Sequence, residues 1–174
     1  MDPDGFSALI DLVTQATIAY LCRQVENGAE VLQIFDSWAG VLSEGEFDSW
    51  VINPTAKIVT AVKALHPDIP IIGFPRGAGI LYMRYIAETG VDAVSLDSTV
   101  PVDWAALHLQ DKAALQGNLD PLLVLGGGDA MKQEIRRIKR ILGTGPFVFN
   151  LGHGIIKETP PDNVARLVEA VRGG

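Results

Sequence analysis

Short apolar runs alternate with helical apolar stripes along the whole chain. Each run is a continuous block and not an alternation of apolar and polar residues, which is typical of parallel strands buried on both faces. Strands that alternate with helices predict a parallel β/α fold. The predicted strands are Val31–Phe35, Ile69–Phe74, Ala93–Leu96, Ala113–Gln116 and Phe147–Phe149.

Apolar residues spaced by three and four predict helices between these strands. The first helix is expected over residues 6–28, with Asp4 as its cap, and a helical region runs from Glu44 to Leu65. Asn53-Pro54 interrupts that region, so two helices are expected to meet there, with Asn53 as a cap. Two further helices are expected over Ile80–Glu88 and Trp104–Gln110. A third is expected to be capped by Asp129 and to turn four residues inward: Met131, Ile135, Ile138 and Leu142. The last is expected to open at Thr159, with its inward residues being Val164, Leu167, Val168 and Val171.

The length of the chain limits which β/α fold it can form. No strand is followed by a G-x-G-x-x-G turn, which disfavours a dinucleotide-binding open sheet. A complete (β/α)8 TIM barrel takes about 250 residues, whereas this chain has 174. We therefore expect residues 1–174 to form one domain, a partial barrel of about five β/α units. Because the chain opens on a helix, the absent units are expected on the amino-terminal side.

Composition and charge exclude several classes of function. Hydrophobic residues make up 48% of the chain and charged residues 20%, with a formal net charge of -7, which disfavours nucleic-acid binding. No apolar run is expected to reach the roughly 20 residues that cross a bilayer, and the amino terminus lacks the layout of a signal peptide. A cytoplasmic location without membrane contact is expected. Cys22 is the single cysteine, so a multi-thiolate zinc site is excluded and a packed side chain is expected.

Polar residues concentrate directly after each predicted strand. In a parallel β/α protein these positions lie on one face, where such enzymes build their sites. The sequence therefore predicts a site formed by the loops at the carboxyl ends of the strands. The residues concerned are Asp36, Ser37, Arg76, Asp97, Ser98, Asn118, Asp120, Asn150 and His153.

Three of the residues near these strand ends are candidates for ligand contact, each with a structural alternative. His153 lies between Gly152 and Gly154 and could donate to an anionic group, or cap the carbonyls of its own loop. Ser37 could hydrogen-bond a substrate or cap a turn, and it lacks the G-x-S-x-G context of a nucleophile. Phe35 could belong to a core or to a pocket floor. The three histidines of the chain share no metal-ligand spacing.

Three strings, each after its own strand, carry a resemblance to a known family. They are Gln33–Gly40, Leu115–Pro121 and Asn150–Gly154. In this order they resemble uroporphyrinogen decarboxylases, (β/α)8-barrel enzymes of haem biosynthesis, and the similarity runs along nearly the whole chain. The resemblance implies a lyase that needs no metal or organic cofactor. It implies removal of four acetate carboxyls as CO2, which converts uroporphyrinogen III to coproporphyrinogen III.

The resemblance also implies roles for individual residues. Phe35 matches an aromatic residue of the cleft wall, Ser37 a substrate-contacting serine, and His153 a histidine that contacts a substrate carboxylate. The family's catalytic aspartate and its arginines belong to the amino-terminal half of those enzymes. The resemblance therefore implies that this chain is a carboxy-terminal portion with no catalytic residue of its own, inactive in isolation. A tetrapyrrole partner is implied, and because a partial barrel leaves two open strand edges, a homo-oligomer is expected.

Two other interpretations remain open at this point. The same barrel superfamily contains zinc-dependent methyltransferases that act with corrinoid proteins or methionine, although the lone Cys22 argues against their thiolate ligands. Alternatively, the chain is a non-catalytic half-barrel remnant that binds a tetrapyrrole or a partner.

Overall fold

The structure, a computed structural model, describes residues 2–173. Strands and helices alternate along this range, close to the predicted positions. The strands are β1 (Leu32–Asp36), β2 (Ile71–Pro75), β3 (Ala93–Ser95), β4 (Ala114–Leu119) and β5 (Phe147–Leu151). The α-helices are α1 (Pro3–Glu26), α2 (Glu44–Phe47), α3 (Asn53–Leu65), α4 (Tyr82–Thr89), α5 (Val102–His108), α6 (Pro121–Gly126), α7 (Gly128–Leu142) and α8 (Pro161–Arg172).

The strands form a parallel sheet. β1 pairs in parallel with β2, with Asp36 opposite Pro75, and β4 pairs in parallel with β5. The strand order is β1-β2-β3-β4-β5, the same as the order along the chain. This confirms the predicted parallel β/α fold and is consistent with part of a (β/α)8 barrel. β2 is buried at every position, whereas β5 alternates between half-buried and exposed residues.

The chain divides into two compact units, Met1–Ala93 and Val94–Gly174. The first unit contains β1 and β2 with helices α1 to α4, and the second contains β4 and β5 with helices α5 to α8. The expectation that residues 1–174 form a single domain stays a prediction.

In the first unit, α1 packs along α3. Asp2 caps α1, and its carboxylate accepts a hydrogen bond of 3.0 Å from the amide of Gly5. The prediction that Asp4 is the cap is therefore wrong, because Pro3 takes the first helical position and makes the residue before it the cap. Cys22 is buried, which confirms its predicted packing.

The helical region around Asn53 differs from the prediction. Residues Asp48–Ile52 form a π-helical turn that runs directly into α3, and Asn53 is itself helical and makes no side-chain cap bond. The two predicted helices therefore join in one helical path, and the prediction that Asn53 is a cap is wrong. A π turn changes the pattern of backbone hydrogen bonds, so the chain can stay helical next to Pro54, which has no N–H to donate.

In the second unit, α7 buries its predicted stripe. Met131, Ile135, Ile138 and Leu142 are all fully buried, which confirms the spacing argument. The cap position of α7 is Gly127, so the prediction that Asp129 is the cap is wrong. Asp129 lies in the first turn, where a carboxylate still favours the positive end of the helix dipole.

The last helix is tied to the fold by a polar residue. Asn163 is buried in α8, and its amide donates hydrogen bonds to the carbonyls of Val124 and Leu125 in the last turn of α6. Val164, Leu167 and Val171 are half-buried, but Val168 is exposed, so the prediction that Val168 points inward is wrong. α8 is therefore held by a polar contact that an apolar pattern does not reveal.

The first helix is also more apolar than expected. By length and composition alone, the 24-residue α1 could cross a membrane, and 17% of its most apolar window is buried. This corrects the expectation that no segment reaches that length. A single such helix is weak evidence for a membrane, because core helices of other proteins pass the same test.

Tight packing behind β2 leads to a stability prediction. A Cβ added at Gly73 would lie 2.4 Å from the hydroxyl of buried Tyr85, whereas one added at Gly45 on α2 would meet nothing within 4 Å. Gly73→Ala should lower the free energy of unfolding by about 1–3 kcal/mol, because overpacking forces neighbours to move. Gly45→Ala should not lower it, since alanine favours helix. Equal denaturant midpoints for the two variants would contradict this packing.

Candidate functional site

Phe35, Ser37 and Arg76 lie together at the rim of the first unit, at the carboxyl ends of β1 and β2. Phe35 is opposite Phe74 in the strand pair, and their ring centroids are 6.0 Å apart in an edge-to-face arrangement. Phe35 is nevertheless 67% exposed, which is unusual for a large apolar strand residue. Ser37 and Arg76 each follow directly after the paired residues at the ends of these strands. This rim offers an exposed aromatic surface beside a hydroxyl and a guanidinium.

Backbone hydrogen bonds connect the two loops of this rim. The amide of Arg76 donates to the carbonyl of Asp36 at 3.0 Å, and the amide of Gly40 donates to the carbonyl of Arg76 at 2.9 Å. A Cβ at Gly40 would lie 2.5 Å from the carbonyl oxygen of Gly77, so only glycine permits this approach. Ser37 and Arg76 are therefore held on adjacent, connected loops.

The polar side chains of this rim are available for a ligand. Among residues 2–173, the Ser37 hydroxyl has no hydrogen-bond partner, and the Arg76 guanidinium makes no ion pair. Beneath the rim, burial raises the pKa of Tyr85 far above its usual range, and the charge of Asp36 raises it further, while a hydrogen bond with Thr55 opposes both effects. Tyr85 therefore stays a neutral, packed phenol at physiological pH.

In the second unit, a buried polar cluster holds the loop after β3. The carboxylate of Asp97 is buried and accepts hydrogen bonds from the amide of Thr99, at 2.9 Å, and from its hydroxyl. The buried Asn118 amide donates to the carbonyls of Asp97, at 3.0 Å, and Val100, at 2.8 Å. This cluster fixes the loop 97–100 against the end of β4.

A small cavity of about 170 Å³ lies beside this cluster. Its charged wall is not free for a ligand, because Arg137 forms ion pairs of 2.9 Å with both Glu134 and Asp103. The polar residues that line it include Thr99, Asn118, Asp120, Glu134 and Arg137.

His153 is exposed on the loop after β5, at the rim of the second unit. Its Nδ1 accepts a hydrogen bond of 2.5 Å from the amide of Gly154. An accepting Nδ1 carries no proton, so the neutral ring carries its proton on Nε2 and can donate from that atom. In this contact the ring accepts from an amide of its own loop, whereas the structural alternative had it cap the loop's carbonyls, so that alternative stays a prediction.

Gly152 brings the loop after β5 into contact with the backbone of neighbouring segments. The amide of Gly152 donates to the carbonyl of Leu119 at 2.8 Å. A Cβ at Gly152 would lie 2.4 Å from the backbone nitrogen of Ser98, whereas a Cβ at Gly154 would meet nothing within 4 Å. The missing side chain at Gly152 therefore allows close contact with the backbone of a neighbouring loop.

The sequence placed the polar residues directly after the strands. Ser37, Arg76 and His153 do follow β1, β2 and β5, whereas Asp36, Asn118 and Asn150 lie within the last two residues of β1, β4 and β5. The structure brings Phe35, Ser37 and Arg76 together in the first unit, and it places His153 on the loop after β5 in the second. That Phe35, Ser37 and His153 share one cleft stays a prediction. The structural roles of Asn118 and Thr99 were missed. An Asp-Ser-Thr string directly after a strand is a signal for the Asp97–Thr99 turn.

The described residues contain no group suited to metal binding. Within 2–173, no three histidine, cysteine, aspartate or glutamate side chains come together. Cys22, the single thiol, is buried on α1 of the first unit.

Comparison with known proteins identifies a family. The model of the uroporphyrinogen decarboxylase (URO-D) family matches residues 1–174. A uroporphyrinogen decarboxylase of Rhodospirillum rubrum is 54% identical over 170 residues, which are 98% of this chain and 49% of the relative. The enzymes of Paracoccus denitrificans and Sphingopyxis alaskensis are 51% and 50% identical, over 99% of this chain and 50% and 51% of their own lengths. The chain therefore spans about half the length of these curated relatives.

The contrast between the two glycines beside His153 leads to a prediction. Gly152→Ala should lower the free energy of unfolding by about 1–3 kcal/mol and displace the His153 loop, because the new methyl group meets backbone that cannot rotate away. Gly154→Ala is the matched control and should change stability by less than about 0.5 kcal/mol. Denaturant unfolding gives the energies, and amide chemical shifts of residues 97–100 and 150–154 report the loop. Unchanged shifts in Gly152→Ala would show that the two loops do not touch.

Proposed function

Because the chain belongs to the uroporphyrinogen decarboxylase family, we propose that it supplies one half of a cofactor-independent decarboxylase. The reaction removes the four acetate carboxyls of uroporphyrinogen III as CO2 and leaves methyl groups, giving coproporphyrinogen III. The observation that carries the proposal is the identity of about 50%, which extends over nearly the whole chain in relatives bearing that name.

The rim chemistry supports a carboxylate-bearing aromatic substrate. In this reaction, protonation of a pyrrole carbon makes the ring an electron sink for the pair released when the C–CO2 bond breaks. A second proton then adds to the exocyclic CH2 to complete the methyl group, and the ring carbon loses the proton it received, so that one proton is consumed for each CO2 released. The enzyme must therefore bind a flat ring, hold its carboxylates and exclude water. Exposed Phe35 offers a face for the ring, while the Ser37 hydroxyl and the Arg76 guanidinium are donors for carboxylate oxygens.

His153 adds a donor on the second unit. With Nδ1 held by the amide of Gly154, its Nε2–H can donate to a substrate carboxylate. We propose that Phe35, Ser37 and His153 bind substrate, and that this chain provides no residue for proton transfer to the pyrrole carbon. The acid for that step then belongs to the half of the relatives that this chain lacks.

The extent of the match determines how the activity can be organised. The chain covers 49–51% of these relatives, so the isolated chain is proposed to be inactive and to act with a complementary half. These shares measure the extent of the matched segment, and the expected carboxy-terminal position of that segment stays a prediction. We also propose a cytoplasmic location and self-association through the edge strands β1 and β5.

Complementation tests the proposed activity. The chain alone should release no CO2 from uroporphyrinogen, because the proton donor is absent. Adding the part of the Rhodospirillum rubrum relative that lies outside the alignment should restore coproporphyrinogen formation, measured by chromatography after oxidation to porphyrins. Neither half alone should be active. Turnover by the 174-residue chain alone would refute the proposal that the proton donor lies in the complementary half. A complex that is folded but inactive would indicate that the chain is a non-catalytic remnant.

Substitutions at the rim test the binding residues in the complemented enzyme. Ser37→Ala and His153→Gln should each lower kcat/KM by roughly 10- to 100-fold, as expected when a hydrogen bond to a charged group is lost. His66→Gln, directly after the carboxyl end of α3, is the matched control and should be near wild type. A wild-type kcat/KM for both rim variants, with the fold intact by circular dichroism, would remove Ser37 and His153 from the proposed site.

A further inference from the structure

The first helix carries a second apolar stripe that nothing in the first unit covers. One face of α1 is buried against its neighbours through Thr14, Leu21 and Cys22. A different set of residues, spaced by three and four, forms what we call the outer stripe. It consists of Leu9, Leu12, Val13, Ala16 and Tyr20.

The outer stripe is both exposed and uncharged. Leu9, Leu12, Val13 and Tyr20 are 53%, 67%, 52% and 64% exposed, although scattered exposed apolar residues, and not a continuous row, are the norm. The stripe runs from Leu9 to Tyr20, about three turns, without a charged member. The charged Asp11 lies on the other side, where its carboxylate pairs with Lys57 of α3 at 2.8 Å. A helix with apolar residues on two sides is typical of one that packs against neighbours on both.

The position of α1 is well determined by contacts outside the stripe. Its amino-terminal end is held where the Phe6 ring meets the Trp50 ring edge-to-face, with centroids 4.7 Å apart. Its middle is held by the Asp11–Lys57 pair. The helix therefore does not need the outer stripe for its own attachment, and the stripe remains available for another surface.

The length of the relatives indicates what that surface is. About half of each relative lies outside the matched segment, while α1 itself falls within a match that covers 98% or more of this chain. α1 precedes β1, which is the edge strand of the sheet, and α1 packs along α3, the helix between β1 and β2. An added β/α segment at that edge would bring a helix alongside α1, at the 8–10 Å separation usual for packed helices.

We propose that the outer stripe of α1 is the docking surface for the complementary half of the decarboxylase, and that it receives an apolar helix face of that half. The inference rests on family membership and not on the catalytic assignment. The experiments below measure contact between the two parts and not turnover. A complex that forms but is inactive would contradict the proposed function alone, whereas a complex that forms without burying the outer stripe would overturn this proposal.

Leu12 and Leu65 provide a matched pair for the first experiment. They are 67% and 68% exposed, and Leu65 ends α3 outside the stripe. The complementary part of the Rhodospirillum rubrum relative is titrated into labelled chain, and Kd is measured. Leu12→Glu should raise Kd at least tenfold, because a charge would be buried without a partner, while Leu65→Glu should leave it unchanged. Equal Kd values for these two variants would overturn the proposal.

A second measurement does not depend on the two parts associating as separate chains. The complementary part is joined to this chain in the order found in that relative, and the thiol-labelling rates of Leu12→Cys and Leu65→Cys are compared with and without the added part. Buried Cys22 provides the background rate. Leu12→Cys should react at least tenfold more slowly in the joined protein, and Leu65→Cys should not. Undiminished labelling of Leu12→Cys would overturn the proposal.

Other occupants give distinct outcomes. If the stripe served a second copy of this chain, Leu12→Glu would abolish a dimer of the isolated chain and leave binding of the complementary part intact. If it served a lipid surface, the chain would cosediment with phosphatidylcholine–phosphatidylglycerol vesicles and Leu12→Glu would abolish this, while labelling in the joined protein would stay fast. Either result would overturn the proposal.

Discussion

Close approach between the backbones of neighbouring loops is the constraint on which each rim depends. In the first unit, Gly40 lies so near Gly77 that a Cβ would come within 2.5 Å of its carbonyl oxygen. In the second, Gly152 stands in the same relation to the backbone nitrogen of Ser98, at 2.4 Å. In both cases the loop after one strand rests directly on the loop after another, with no side chain between them. Ser37, three residues before Gly40, and His153, directly after Gly152, are thereby set on supported loops and not on free ones.

Buried amides complete this support where backbone contact alone would leave polar groups unsatisfied. The Asn118 side chain donates to two carbonyls of the loop 97–100, and Asn163 does the same for the end of α6. Each asparagine satisfies carbonyls that a helix end or a strand end would otherwise leave without a partner. A buried carbonyl without a partner costs about 1–3 kcal/mol. By giving these carbonyls a partner, the two amides stabilise the conformation of the segments to which the carbonyls belong.

The sequence predicted most reliably those features that depend on apolar spacing. The α7 stripe from Met131 to Leu142 is one example, because a 3.6-residue period has a single helical interpretation. Caps were predicted poorly: Asp4, Asn53 and Asp129 all lie inside their helices. A cap depends on which residue leaves the helical conformation, and several acidic or amide residues near a helix start compete for that role.

The rim residues were predictable for a topological reason, since parallel strands in chain order end on the same side. The supporting contacts were not. That Gly152 approaches Ser98, or that Asn118 reaches Val100, depends on the spacing between two strands that are distant in sequence. A sequence pattern gives the residue types that permit such contacts, but it contains no distance between them.

Under the proposed function, charge places a further requirement on how a substrate is bound. With a formal net charge of -7, the long-range field of the chain repels a polycarboxylate such as uroporphyrinogen. Attraction must therefore come from short-range donors, and the first rim offers Arg76 and Ser37 while the second offers His153. A serine hydroxyl and a neutral imidazole each donate one hydrogen bond and carry no charge, so Arg76 is the permanent cation among these three side chains. A ligand with several carboxylates needs more cations than that. The complementary half would then be required for binding the substrate as well as for protonating it.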